Sequence, residues 1–269
     1  MSRLRLVGLV LGIVCLLPAL VWAQRGVGLG PKILLQKDVP ITITEPGSYQ
    51  LGSNLKVTNP NVTAITVAAD NVTIDLAGFT IEGPLAGEVG YGAGIMTSAS
   101  AGRSYVLVRN GVVRGFYGAA LPCVHLGGRG NRVEDLRVDN CPFGGIFVGT
   151  SGVVTRCQVS DTYVGIGLET GSMAVDNVFY NTTGPTINVS GEERGGTTIK
   201  GNNCRQCGIC VSAKSLGNLI KGNVITGCNT GLDLTNGASF YEGNLLYGNF
   251  TPVVGGGSPN VDGGNVIVE

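Results

Sequence analysis

Four Gly-Asn pairs, Gly201-Asn202, Gly222-Asn223, Gly243-Asn244 and Gly264-Asn265, follow one another at intervals of 21 residues. An interval kept this closely restricts the chain to folds made by repetition of one unit. Each unit holds about three runs of three to five residues separated by turns, too little for a helical hairpin, and no run has a 3.6-residue apolar period. Aligning each Asn, or its equivalent, with the residue two places later extends the repeat backwards. The pairs are Asn265/Ile267, Asn244/Leu246, Asn223/Ile225, Asn202/Cys204, Asn177/Phe179, Cys157/Val159, Leu136/Val138, Gly111/Val113, Phe79/Ile81 and Leu55/Val57. The second member is apolar or Cys throughout. A second signature follows each pair, an apolar-x-apolar run: AITV, GIMT, CVHL, GIFV, GIGL, TINV, GICV and GLDL. Stacked as parallel strands, equivalent residues of successive units would recur every ~4.8 Å along one axis.

This pattern resembles the right-handed parallel β-helix of the pectin-lyase-like superfamily over Pro40 to Glu269. The resemblance implies an all-β, single-stranded solenoid of about nine to ten rungs with three short strands per rung. Residues 24–52 are expected to form an N-terminal segment with a capping strand, and residues 53–269 the helix. Within that architecture an Asn at an inward bend bonds its equivalents above and below, as polar ladders do in stacked strands, and satisfies buried backbone groups of the turn. The architecture carries many activities, so it does not by itself name one.

The chain opens MSRLRLVGLVLGIVCLLPALVWAQ, a basic start, an apolar core and small residues before Gln24. That is the form of a secretory signal peptide over residues 1–23, and it predicts a secreted or periplasmic product. No other stretch is long and apolar enough to span a bilayer, so no membrane-embedded segment is expected. Removing Arg3 and Arg5 leaves 18 − 2 = 16 basic against 18 acidic residues. A charge of −2 does not suit a nucleic-acid partner. The last run, NVIVE, ends in mid-rung. An uncovered rung exposes a strand edge, which predicts shielding by the Gly-rich 255–257 loop or end-to-end self-association.

Chemistry belongs on the outside of the stack, where the middle residues of the apolar-x-apolar runs point by alternation. The expected row is Thr66, Met96, His125, Phe147, Gly167, Asn188, Cys210 and Asp233, with Phe143 and Tyr163 on nearby turns and Glu169 just beyond the strand. A glycosidase needs two carboxyl groups ~5 to 9.5 Å apart. Glu169 and Asp233 are separated by three rungs, or ~14 Å. The Asn-Thr-Asp, Asp-Asp, Gly-His-Gly and Arg-Ile-Lys signatures of polygalacturonase-like members are absent, as is the Asp-Pro-His segment of alginate epimerases. A calcium-dependent lyase would need clustered carboxylates. His125, the only histidine, is the one catalytic candidate, as the proton carrier of a metal-free polysaccharide lyase or epimerase. The leading expectation is non-catalytic. It is binding of extracellular or envelope polysaccharide through His125, Phe147, Tyr163, Glu169, Asn188 and Asp233, or a structural surface role.

Asp135, Arg156 and Asp176 precede inner pairs of successive rungs and predict a surface ion-pair ladder. Seven cysteines remain after the signal. CRQCGIC has the spacing of a metal motif, yet an extended strand does not wrap three thiolates around one ion, and no metal or cofactor is expected. Cys157 and Cys204 read as buried, and Cys210 as outward. Cys207 and Cys228 each follow their rung's Asn by five residues, so they stack, and in an oxidising compartment they are expected as a disulfide or a close thiol pair. The chain is also similar to periplasmic β-helix proteins that help mature copper sites. It shares their repeat without a ligand motif that can be placed here.

Overall fold

The corner at Gly-Asn sets the geometry of each turn. In the computed structural model Gly201, Gly222, Gly243 and Gly264 have φ of +68°, +63°, +59° and +93°, the left-handed region in which a side chain is disfavoured. The sharp bend they make aims the next residue, Asn, into the interior. The structure describes residues 30–268 apart from 85–89, 99–101, 118–120, 191–194, 236 and 258. The expected signal peptide lies outside the described residues.

The side chains of Asn202, Asn223 and Asn244 are each bonded four ways. Asn223 Oδ1 accepts from the backbone N–H of Asn202 at 2.9 Å and from Asn202 Nδ2 at 3.0 Å. Its own Nδ2 donates to Asn244 Oδ1 at 2.9 Å and to the Ile199 carbonyl at 3.1 Å. The same pattern runs from Asn177 through Asn202, Asn223 and Asn244 to Asn265. The ladder expected from the sequence is present in full.

Three parallel ladders of short strands result. One runs from Ile41–Ile43 through Ile65–Val67, Ile95–Thr97 and Val124–Leu126 to Thr251–Val254. A second runs from Gly47–Leu51 to Val261–Asp262, and a third from Leu55–Lys56 to Val266–Val268. The described residues make ten turns of an all-β parallel solenoid. Ahead of the first turn, Lys32–Leu34 pairs with Gly47–Leu51, and a 3-10 turn follows at Gln36–Asp38. The strands Ile41–Ile43 and Gly47–Leu51 already belong to the coil.

The interior is a stack of apolar columns. Leu55, Ile81, Val113, Val138, Val159, Phe179, Cys204, Ile225 and Leu246 are register partners in succession, and all are buried. The first expected pair is displaced by two residues, since Leu55 and not Val57 faces Ile81. A second corner has φ near +55° at Asn140, Asp161, Asn181 and Gln206, followed by inward Cys141, Thr162, Thr182 and Cys207. At a third corner Asn131, Ser172, Thr197, Asn218, Ser239 and Asn260 point inward and are buried. There the Oδ1 atoms of Asn131 and Asn260 accept from Val106 and Ser239 N–H.

The last described strand, Val266–Val268, pairs with Leu245–Tyr247 and is exposed along its length. The 255–257 loop does not cover it. That loop turns back instead, where the Gly256 carbonyl accepts from the Tyr241 hydroxyl at 3.2 Å.

Asn223→Ala leaves the Asn202 N–H and the Ile199 carbonyl buried and unpaired. It should cost about 2–4 kcal/mol of unfolding free energy at ~1–3 kcal/mol per orphaned group. Gly243→Ala meets nothing within 4 Å and bears only the left-handed strain, about 1 kcal/mol. Denaturant unfolding of the two variants should show this order.

Candidate functional site

The outer face of the ladder carrying His125 is flat because its strands are short, in register and flanked by buried residues. Val124 and Leu126 are fully buried on either side of His125, and Ile146 and Val148 on either side of Phe147. Alternation therefore turns the middle residues out. The row in the structure is Thr66, Met96, His125, Phe147, Gly167, Asn188, Ser212 and Asp233. Ser212 replaces Cys210, because Ile187 pairs with Val211, two residues later than the GICV alignment implies. Cys210 is buried.

The rings of His125 and Phe147 stack with centroids 4.7 Å apart and planes 21° from parallel. Phe147 reaches over Gly167, where a Cβ would come within 3.0 Å of its Cδ2. A glycine at 167 leaves room for this ring. Phe143 and Tyr163 are exposed on the corner leading into these strands, four residues before Phe147 and Gly167. Tyr163 packs over Gly184 in the same manner.

On the other side His125 borders a depression of about 270 Å³ with Met96, Ser98, Leu121 and the backbone of Gly127-Gly128. Among the described residues its Nδ1 is buried without a hydrogen-bond partner. Burial lowers the imidazole pKa, and the Glu169 carboxylate offsets this in part. The ring is accordingly neutral near pH 7. Glu169 itself accepts from Thr150 Oγ1 at 3.2 Å, and Asn188 is half-buried.

Asp233 is committed elsewhere. It receives Lys214 Nζ at 2.9 Å and Thr235 Oγ1 at 2.7 Å. Burial raises its pKa, and the bonds from Thr235 and Lys214 outweigh burial to hold it below the usual value. Of the six expected contact residues, the structure brings His125 and Phe147 together. It aligns Asn188 with them, sets Glu169 and Tyr163 at the margins and anchors Asp233 internally.

On another corner, Arg156 forks onto Asp135 at 2.8 and 2.9 Å and reaches Glu134 at 3.6 Å. No ion pair continues to Asp176 among the described residues, so the expected ladder is one bidentate pair with a flanking acid.

The cysteines separate into two bridges and three thiols. Cys123–Cys141 and Cys204–Cys210 are disulfides, neither foreseen from spacing. Cys204–Cys210 spans the corner that holds Cys207. Cys207 and Cys228 stand on successive turns as thiols, not as a bridge, which is the second of the two arrangements expected from the sequence. The Cys228 S–H and the Thr182 and Thr186 hydroxyls hold the Cys207 thiol down, to about 6, against the opposing effect of burial. Sharing with Cys207, together with burial, raises Cys228. Burial alone pushes Cys157 up to about 12.

A lowered imidazole pKa means that folding favours neutral His125. The contribution is intact above the unfolded value of 6.5 and is lost as pH falls below it. As the single histidine, it gives one NMR titration, with a midpoint expected below 6.5. His125→Gln should remove that part of the fall in melting temperature between about pH 7.5 and 5.5. A midpoint above the unfolded value would contradict the burial argument.

Sequence comparison aligns residues 67–255 with the family described as periplasmic copper-binding protein (NosD). No curated protein matches the sequence at a significant level. Among solved structures, the crystal structure of the periplasmic alginate epimerase AlgG is similar at 13% identity with a TM-score of 0.47. That alignment covers 88% of this chain and 72% of that one. With the family match spanning well over half of its length, this periplasmic parallel β-helix belongs to the NosD family.

Proposed function

We propose that this protein holds a linear polysaccharide along the outer face bearing His125. The observation that carries this reading is the His125–Phe147 ring stack on the outer face, beside Gly167. A sugar ring presents an apolar face and a rim of hydroxyls. The apolar face suits stacked rings. A neutral imidazole carries one donor and one acceptor nitrogen, so the partly exposed ring adds hydrogen-bonding capacity to this face. Asn188, half-buried, continues the row with a further hydrogen-bonding group.

Binding without cleavage fits the carboxylates. Glu169 and Asp233 stand three turns apart, ~14 Å along the stack, beyond the reach of a hydrolytic pair. Asp233 is also tied to Lys214.

Phe147→Ala should weaken binding of uronate or neutral oligosaccharides about tenfold, equivalent to ~1.4 kcal/mol. Gly167→Val, which displaces the Phe147 ring, should act in the same direction. Phe250→Ala, at a fully exposed ring on the tenth turn, should have no effect. Calorimetric titration gives the affinities, and absorbance of the same mixtures reports unsaturated sugar ends, which are not expected. Binding unaltered by Phe147→Ala would refute the reading. Accumulating unsaturated ends would favour the lyase alternative.

A second reading, copper binding, is raised by the family description and favoured by one observation. Among the described residues no three His, Cys, Asp or Glu side chains converge. The stacked thiols Cys207 and Cys228, however, supply the soft donors that suit monovalent copper. Met96 and His125 are neighbours on the outer face, but the Met96 sulfur already accepts from Thr63 Oγ1 at 3.3 Å.

A further inference from the structure

Cys207 and Cys228 occupy equivalent positions of successive turns, bracketed by the register pairs Arg205/Thr226 and Ile209/Thr230, in the interior column of the second corner. They are 4% and 2% exposed, each one residue beneath an exposed corner residue, Gln206 and Gly227. An ion has to pass only that turn to reach them.

Register partners in parallel strands have side chains that point the same way, one turn apart, ~4.8 Å. A disulfide needs sulfurs ~2.05 Å apart, so stacked thiols must be drawn together by more than half the rung spacing. Both bridges that do form join residues that are not register partners, Cys123 with Cys141 and Cys204 with Cys210. A metal ion between two sulfurs presents the opposite geometry. Two metal–sulfur bonds of ~2.3 Å placed end to end span ~4.6 Å, close to the spacing of the coil itself.

The surroundings also suit a bound ion. The column carries hydroxyls, of Thr162 and Thr182. Thr162 Oγ1 is buried without a partner, and Thr182 shares a short hydrogen bond with Thr186. The thiols donate only weakly, to Arg205 and Thr226 carbonyls at 3.3 and 3.7 Å.

We propose that Cys207 and Cys228 form a two-coordinate thiolate site for a monovalent copper ion, held between two turns of the β-helix. The inference rests on the copper reading and gives it residues, oxidation state and coordination number. Binding is an exchange without electron transfer. Each thiol loses its proton to solvent, two sulfur–copper bonds form, and the cation with two thiolates leaves one net negative charge. The hydroxyls of Thr182 and Thr186 lie where they can donate to it.

The test uses the whole exported protein, with its disulfides intact, under anaerobic conditions. Monovalent copper is titrated in competition with a chromogenic chelator. One ion per chain is expected, with X-ray absorption showing two sulfur neighbours and no nitrogen. Cys207→Ser and Cys228→Ser should each weaken binding at least 100-fold while thermal unfolding stays cooperative. Cys157→Ser should leave affinity unchanged. If copper binds and is lost instead in Met96→Leu or His125→Ala, the thiol site is wrong and the copper reading survives. If the reduced protein binds no copper, both fall. Thiol counting on freshly isolated protein that finds Cys207 and Cys228 already bridged also overturns the proposal, whereas three free thiols support it.

Discussion

The inward amide at the corner is the interaction on which the other features depend. A chain that coils on itself must bury backbone groups at every bend, and an unpaired one is costly. The left-handed residue supplies the bend, and the Asn behind it answers an N–H and a carbonyl of the preceding turn and donates to the side-chain amide of the next. Because each amide is both donor and acceptor, a rung is completed only when its neighbour is in register. Register is therefore specified by hydrogen bonds before any apolar contact is counted. The columns of Ile, Val, Phe and Leu then fill the space those corners enclose.

The clarity with which this could be read from the chain varies along it, for a physical reason. In the last four turns the left-handed position is Gly, so the pair Gly-Asn advertises the corner. In earlier turns the same position is Asn110, Asp135, Arg156 and Asp176, with φ between +52° and +63°. Asn and Asp tolerate that conformation. Arg156 does not do so readily, and its two bonds to Asp135 act against the strain. The apolar columns remained legible through these substitutions because burial tolerates few alternatives. The hydroxyl and amide columns at the other two corners were not, since Ser, Thr and Asn are as common on surfaces as in turns.

The outer face shows the limit of pattern alignment. GICV and GIFV look equivalent, yet the ladder pairs Ile187 with Val211, and this two-residue offset puts Ser212 on the face and Cys210 in the core. Alternation has a period of two, so such a slip preserves the apolar pattern while exchanging which residues are displayed. His125 and Phe147 were identifiable as outward neighbours. The role of Gly167 was not, because the use of a missing side chain becomes visible only when a ring is seen reaching over it. The disulfides escaped for a related reason. Cys204 and Cys210 lie on either side of one corner, and their approach depends on how sharply Gln206 turns the chain.

A coil with a fixed rise also selects the chemistry it can host. Equivalent groups on its faces are separated by whole multiples of ~4.8 Å. Rings one turn apart are near stacking distance, as His125 and Phe147 are at 4.7 Å. Carboxylates acting as a retaining glycosidase pair fit one turn at ~5 to 5.5 Å, and an inverting pair needs ~6.5 to 9.5 Å. Glu169 and Asp233, three turns apart, match neither. Two thiolates about a linear ion match one turn again. The same spacing that makes the outer row a regular surface thus sets the two inner cysteines one turn apart.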